Sequence, residues 1–234
     1  MKRISIFLSL ILSFLILPSA FAEKHKGFHV KEKAYYLSNE QIKNFKIDPP
    51  PANDSQQDKL ELKKLKEIQS SRTEEDCKKA IAQKYAEFED FFADENPFPS
   101  PMPKKVKKFF KLIKEDTDVA VSYYKNLYAK PRPFDRDKEI QTCFGQKAGG
   151  YGYPSGHAAI SEMYALILSD LVPEKKEIFE KIAKQASLNR LIWGVHHPSD
   201  VEAGRLIAQK AYEQMKLNKD FIKKRDALKK YLKK

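Results

Sequence analysis

Three short stretches hold side chains that together could bind and transfer a phosphoryl group: Lys125 with Arg132-Pro133, Pro154-Ser155-Gly156-His157, and Arg190 with His196 and Asp200. A lysine supplies a compact, mobile charge, and an arginine supplies a planar fork that grips two phosphate oxygens. Such cations set against a phosphate dianion leave surplus positive potential for a transition state spread over its oxygens. The imidazoles add a nucleophile and a proton donor.

The elements around these residues must aim them. Lys125 sits late in a helical pattern that Pro131 and Pro133 end. Pro154 to His157 reads as a loop entering a helix, with Ser155 as N-cap, so that backbone N–H groups and the positive end of the helix dipole face an anion. Gly156 lets an oxyanion approach the backbone closely, and His157 would stand at the rim, placed to give up a proton. Arg190 comes near the end of an amphipathic segment, Gly194 allows a change of direction, and Ser199 with Glu202 reads as a capping box for the next helix. His196 then falls in the turn and Asp200 in the first helical turn. There Asp200 can fix the tautomer of His196 and leave its other nitrogen as a nucleophile. His197 competes for this role. Taken singly, the three stretches also read as surface cations, an ordinary helix cap and a packed histidine.

Along the chain, Glu23 to about Asp58 looks irregular, with Pro49-Pro50-Pro51 as punctuation, and His25 and His29 there read as a solvated pair. Helical spacing follows at Leu60, Leu62, Leu65 and Ile68, up to Ser70-Ser71. A second helix capped by Thr73 and Asp76 carries Cys77, Ala80, Ile81, Tyr85 and Phe88 at three- and four-residue intervals. Asn96 to Pro103 is a proline-rich loop. Val106, Phe109, Phe110 and Ile113, then Val119, Tyr123 and Leu127, restore the helical period. A glycine-rich run from Gly145 to Gly152 leads into amphipathic segments near 157–171, 174–193 and 199–216, and a lysine-rich tail helix closes the chain. With no alternating strand and no repeat, the expected architecture is a single all-α domain, spanning residues 23–234 with an irregular N-terminal arm and a basic C-terminal helix.

Residues 1–22 read as a signal peptide: Lys2 and Arg3, an apolar run from Ile4 to Leu17, and Ala20-Phe21-Ala22 before the cleavage point. The run is shorter than the roughly 20 residues a membrane span needs, so a periplasmic or secreted protein without stable membrane insertion is expected. A formal net charge of +12 favours anionic partners. The lysines are nevertheless interspersed with Glu and Asp, and no nucleic-acid-binding motif is present, so no nucleic-acid partner is expected. In an exported chain, Cys77 and Cys143 suggest one disulfide, with two unpaired thiols as the other reading. No cluster of carboxylates offers a metal site, and no metal or other cofactor is expected. Exposed aromatics on an amphipathic helical domain would allow a homo-oligomer.

In order, Lys125-x6-Arg132-Pro133, Pro154-Ser155-Gly156-His157 and Arg190-x5-His196-x3-Asp200 resemble the tripartite motif of the phosphatidic acid phosphatase type 2 superfamily. The exported chain is similar within it to class A bacterial non-specific acid phosphatases, over roughly Tyr36 to Tyr212. The match selects His196 over His197. It implies the fold shared by acid phosphatases and vanadium haloperoxidases, and hydrolysis of small phosphomonoesters through a phosphohistidine. His196 would be the nucleophile, His157 the acid and then the base, and Asp200 the orienting carboxylate. Lys125, Arg132, Ser155, Gly156, Asn189 and Arg190 would cradle phosphate, with His157 protonated and His196 neutral at the start. One departure is Asn189, where the family usually has Ser; its amide can still donate a hydrogen bond. A lipid-phosphate phosphatase, a vanadate-dependent haloperoxidase and a non-enzymatic binder of anionic surfaces are the alternatives.

Overall fold

Tyr35 and Tyr36 are tied by their backbone amides to Asp116, at 2.6 and 2.7 Å, so the N-terminal arm lies against the helical body. The computed structural model describes residues 34–233; the expected signal peptide, His25 and His29 lie outside them. The arm holds a short helix, α1 (Asn39–Lys43), closed by a Ser38/Gln41 capping box, where an irregular stretch was expected. No strand occurs among the described residues.

α2 (Gln56–Ser71) starts on Ser55, whose Oγ accepts from the Asp58 amide. α3 (Glu74–Ala82) has the expected Thr73/Asp76 box. It stops short of Tyr85 and Phe88, contrary to the reading of one helix through both. Ala86 adopts a left-handed φ of 54°, Tyr85 is 67% exposed, and Phe88 opens a separate helix, α4 (Phe88–Phe92). α5 (Lys104–Tyr128) is one continuous rod that ends at Ala129 in the left-handed region, before Pro131. Pro133 then serves as the first residue of the single turn α6 (Pro133–Arg136), where its missing N–H costs nothing.

α7 (Gly156–Leu171) is apolar nearly all round and forms the centre, as an all-round hydrophobic helix must. It packs most extensively against α8 (Lys176–Trp193) and α9 (Pro198–Met215), and next against α5. Phe88, Phe110 and Tyr164 fill the space between α4, α5 and α7, with ring centroids 4.5 to 5.6 Å apart. α10 (Lys219–Asp226) closes the far end by packing Phe221 on Phe109.

A smaller apolar cluster stands apart, made of Leu65, Cys77, Ala80, Phe134, Ile140, Cys143, Trp193 and Val195. Within it Cys77 and Cys143 are joined by a disulfide. This cluster forms the wall behind the third stretch of site residues. No helix among the described residues is long and apolar enough to cross a membrane.

Candidate active site

His196 lies in the turn between α8 and α9, 3% exposed. Gly194, with φ 82°, makes that turn by capping α8 in a conformation most side chains avoid. α9 then starts at Pro198 with His197 as N-cap, and the carboxylate of Asp200 accepts the His197 amide at 2.9 Å. The expected Ser199/Glu202 box is therefore replaced. Ser199 instead donates its hydroxyl to Glu61 at 2.8 Å, a long-range bond invisible to a local pattern.

Asp200 is fully buried and its Oδ2 lies 3.1 Å from Nδ1 of His196. On the other side of the ring, Nε2 sits 3.2 Å from Nη1 of Arg132. A guanidinium can only donate, so Nε2 carries the lone pair and Nδ1 carries the proton given to Asp200. Burial alone would raise the Asp200 pKa, but hydrogen bonds from His196 and His197 hold it well below the usual carboxylate range. Burial and the Arg132 charge lower His196 to about 3, against the opposing pull of Asp200. The result is a neutral imidazole whose Nε2 lone pair faces a guanidinium and whose Nδ1–H faces a carboxylate.

His197 is also buried, with Nδ1 3.4 Å from the same oxygen of Asp200. Its position caps α9 and helps fix the carboxylate.

The cations come from separate elements, and Arg132 reaches this ring directly. Arg132, at the N-cap of α6, is held by the carbonyls of Gly149 and Val195, each at 2.8 Å. Lys125, in the last turn of α5, donates to the carbonyls of Tyr151 at 2.5 Å and Gly152 at 3.1 Å. The glycine-rich loop thus orients two cations with backbone oxygens. Burial and the neighbouring Arg132 lower Lys125 to about 7. Arg190, 1% exposed, donates Nη2 to the carbonyl of Ala80 and stacks on Trp193. Its Nε and Nη1 are buried with no hydrogen-bond partner, which costs about 1–3 kcal/mol for such a group unless an acceptor arrives.

Ser155 caps α7 with Oγ 3.4 Å from the Ala158 amide, and its own amide donates to the main-chain carbonyl of Asp200 at 2.7 Å. This bond fastens the second stretch to the third. A Cβ built on Gly156 would meet only Val121, at an ordinary 3.8 Å, so packing does not demand glycine there.

His157 is half-buried, with Nε2 3.1 Å from the carbonyl of Lys84 and its ring edge-on to Phe91. Burial and the charge of Arg190 press its pKa well below the ordinary histidine value. The resemblance implies a protonated His157 at the start of the reaction, and this environment opposes that charge.

Asn189 donates its amide to Gln83 and accepts from Gln185, both at 2.9 Å. The Gln83–Lys84 turn therefore touches Asn189 and His157 together, which sequence reasoning missed. It lies more than seventy residues from His157 and carries no motif of its own. Among the described residues no three of His, Cys, Asp and Glu are placed to hold a metal ion.

A family model described as "PAP2 superfamily" matches residues 117–209, the interval that holds every candidate residue of the tripartite motif. Residues 117–209 are thus similar to that superfamily. The chain is 29% identical over 219 residues to a non-specific acid phosphatase of Providencia stuartii, an alignment covering 88% of each protein. It is 32% identical over 116 residues to a non-specific acid phosphatase of Salmonella typhi, covering 47% of this chain and 45% of that one. In fold it is similar to a bacterial vanadium-dependent chloroperoxidase, with TM-score 0.58, 11% identity, and 83% of this chain aligned to 54% of the other. A bacterial vanadium-dependent iodoperoxidase aligns at TM-score 0.50 and 17% identity, over 74% of this chain and 54% of its own. The chain spans about half the length of these haloperoxidases, and the likeness concerns the fold. The described residues are thus all-helical, in a fold similar to that of the haloperoxidases, and the chain is similar in sequence to bacterial acid phosphatases.

Proposed function

We propose that the protein is an exported acid phosphatase of class A type that hydrolyses small phosphomonoesters through a phosphohistidine, using its own cations in place of a metal. The observation that carries this reading is the clamped ring of His196. Asp200 holds Nδ1–H, and the lone pair of Nε2 faces the guanidinium of Arg132. Homology to non-specific acid phosphatases over most of the chain supports the phosphoester substrate class.

In this scheme a phosphate dianion takes the hydrogen bonds that Arg190 leaves unused, and draws Nη1 of Arg132 off Nε2. Lys125 and the N-terminal amides of α7 complete the cradle, and Gly156 leaves them room. Asn189 presents an amide that Gln83 and Gln185 already orient. Nε2 of His196 then forms a bond to phosphorus as the ester P–O bond breaks. His157 delivers a proton to the departing oxygen, so an alcohol leaves. Next, His157 takes a proton from water, the hydroxide bonds to phosphorus, and the P–N bond breaks to release phosphate and restore His196.

Burial and Arg190 hold the His157 pKa well below the ordinary histidine value in the ligand-free site. Two negative charges placed beside it offset the field of Arg190, so the proton is acquired with the substrate. The leader expected at residues 1–22 and the disulfide both suit an oxidising compartment outside the cytosol.

The test is hydrolysis of p-nitrophenyl phosphate with and without EDTA by wild type, His196→Ala and His157→Ala. Activity that EDTA leaves intact and His196→Ala abolishes is expected. Activity that survives His196→Ala, or is lost to EDTA, overturns the mechanism.

A further inference from the structure

Two buried carboxylates stand one helical turn apart on α2, outside the residues that the PAP2 model matches. Asp58 is completely buried and Glu61 is 4% exposed. Burying a carboxylate is costly unless it is paired, so the partners of each one are informative.

Asp58 accepts both Nη atoms of Arg136, at 2.6 and 2.7 Å, and Nζ of Lys130 lies 3.6 Å away. Lys130 and Arg136 flank Arg132 on either side. The carbonyl of Lys130 in turn accepts the Gly152 amide at 2.8 Å, which fixes the loop ahead of Ser155. Glu61 accepts the hydroxyl of Ser199, the residue before Asp200. At the far end of α2, Arg72 donates to the carbonyl of Ile192 at 2.7 Å, just before the Gly194 turn. One helix therefore grips the segments on both sides of the Arg132–His196 pair.

We infer that α2 is a brace that aligns the reaction, with Asp58 and Glu61 as positioning residues. Asp58 sets Arg132, and Glu61 sets the start of α9 and hence Asp200. Arg132 and His196 lie 3.2 Å apart although 64 residues separate them, and neither has a local element that fixes both. A misplacement of about 1 Å can cost on the order of a hundredfold in rate, so a buried brace has a direct kinetic consequence. This assignment rests on the phosphatase reading above.

Asp116 serves as the control. It is equally buried, and it holds the amides of Tyr35 and Tyr36 away from the site. The experiment compares full-length wild type, Asp58→Asn, Glu61→Gln and Asp116→Asn, each measured for thermal midpoint, kcat, KM and orthovanadate binding by calorimetry. Asp58→Asn is expected to raise KM and weaken orthovanadate binding by about tenfold, and Glu61→Gln to lower kcat about threefold with KM little changed. Asp116→Asn is expected to lower the midpoint while leaving kcat/KM within about twofold of wild type. Should Asp58→Asn fail to fold, Arg136→Lys keeps the charge and removes the fork, and it too is expected to raise KM. The brace is overturned if these variants keep wild-type kcat, KM and orthovanadate affinity per folded molecule, or if Asp116→Asn loses as much as they do. An inactive wild type would instead sink the phosphatase reading, while orthovanadate binding would still report on the brace.

Discussion

The main-chain carbonyl oxygen of Ser155 occupies the space a side chain on Gly204 would need, only 2.3 Å from where its Cβ would stand. The neighbour is backbone and cannot rotate away. Gly204→Ala must push α9 off the start of α7, straining the bond between the Ser155 amide and the Asp200 carbonyl. Overpacking of this kind costs about 1–3 kcal/mol, equivalent to a thermal midpoint lower by about 2–12 °C in a protein of this size. Because the displaced helices carry His157 and Asp200, kcat should fall along with the midpoint. Differential scanning calorimetry and steady-state kinetics on the variant check both.

The two imidazoles give a pH signature in turnover. His157 is pressed down in the ligand-free site by burial and Arg190, whereas a bound phosphate dianion pushes it up. The proton donor should thus survive to higher pH in the complex than in the free enzyme. The alkaline limb of the kcat profile is expected above that of kcat/KM. Lys125, lowered to about 7, adds to the decline of kcat/KM above neutrality as it loses its charge. NMR titration of His157 with and without orthovanadate should show its pKa rising on binding; an unchanged pKa would contradict the proton account.

Stability carries a separate pH signature. His196, lowered to about 3, is neutral in the fold while the unfolded chain binds a proton below about 6.5. Its contribution is present above 6.5 and is lost as pH falls toward 3. Asp116, raised to about 6 by burial, has the opposite sign: the fold holds its proton and the unfolded chain does not. That contribution is present below about 4 and disappears as pH rises through 6. The two oppose each other between pH 4 and 6. Asp116→Asn removes one side of the balance, so stability should fall more steeply on acidification, by about 1.4 kcal/mol per pH unit. Urea denaturation at a series of pH values measures the slope.

Asn189→Ser cuts the amide link to Gln83 and Gln185 without removing a cation or an imidazole. KM should change severalfold and kcat little, as expected of a group that binds the ground state and the transition state alike. A fall in kcat of more than about tenfold would place Asn189 in the chemical step.

The helices from Val106 to Met215 were legible because their periodicity, prolines and caps are local signals, and α7, α8 and α9 lie within a residue or two of the expected segments. The three stretches of site residues were legible because their spacings are local too. What escaped was decided elsewhere in the chain. The stop at Ala82 has no proline or glycine to announce it; it is set by the turn that reaches His157 and Asn189. The start of α9 moved from Ser199 to Pro198 because Glu61 occupies the Ser199 hydroxyl. The cost of burying Asp58 and Glu61 likewise becomes readable only once Arg136 and Ser199 are seen beside them.

The bond between Cys77 and Cys143 makes the arrangement of the site depend on oxidation. It ties α3, whose Ala80 carbonyl holds Arg190, to the segment running toward Gly149, whose carbonyl holds Arg132. A newly made, reduced chain lacks the one covalent link between the holders of its two buried arginines. Such a chain should turn over more slowly than the oxidised one, a difference that activity measured before and after oxidation would reveal.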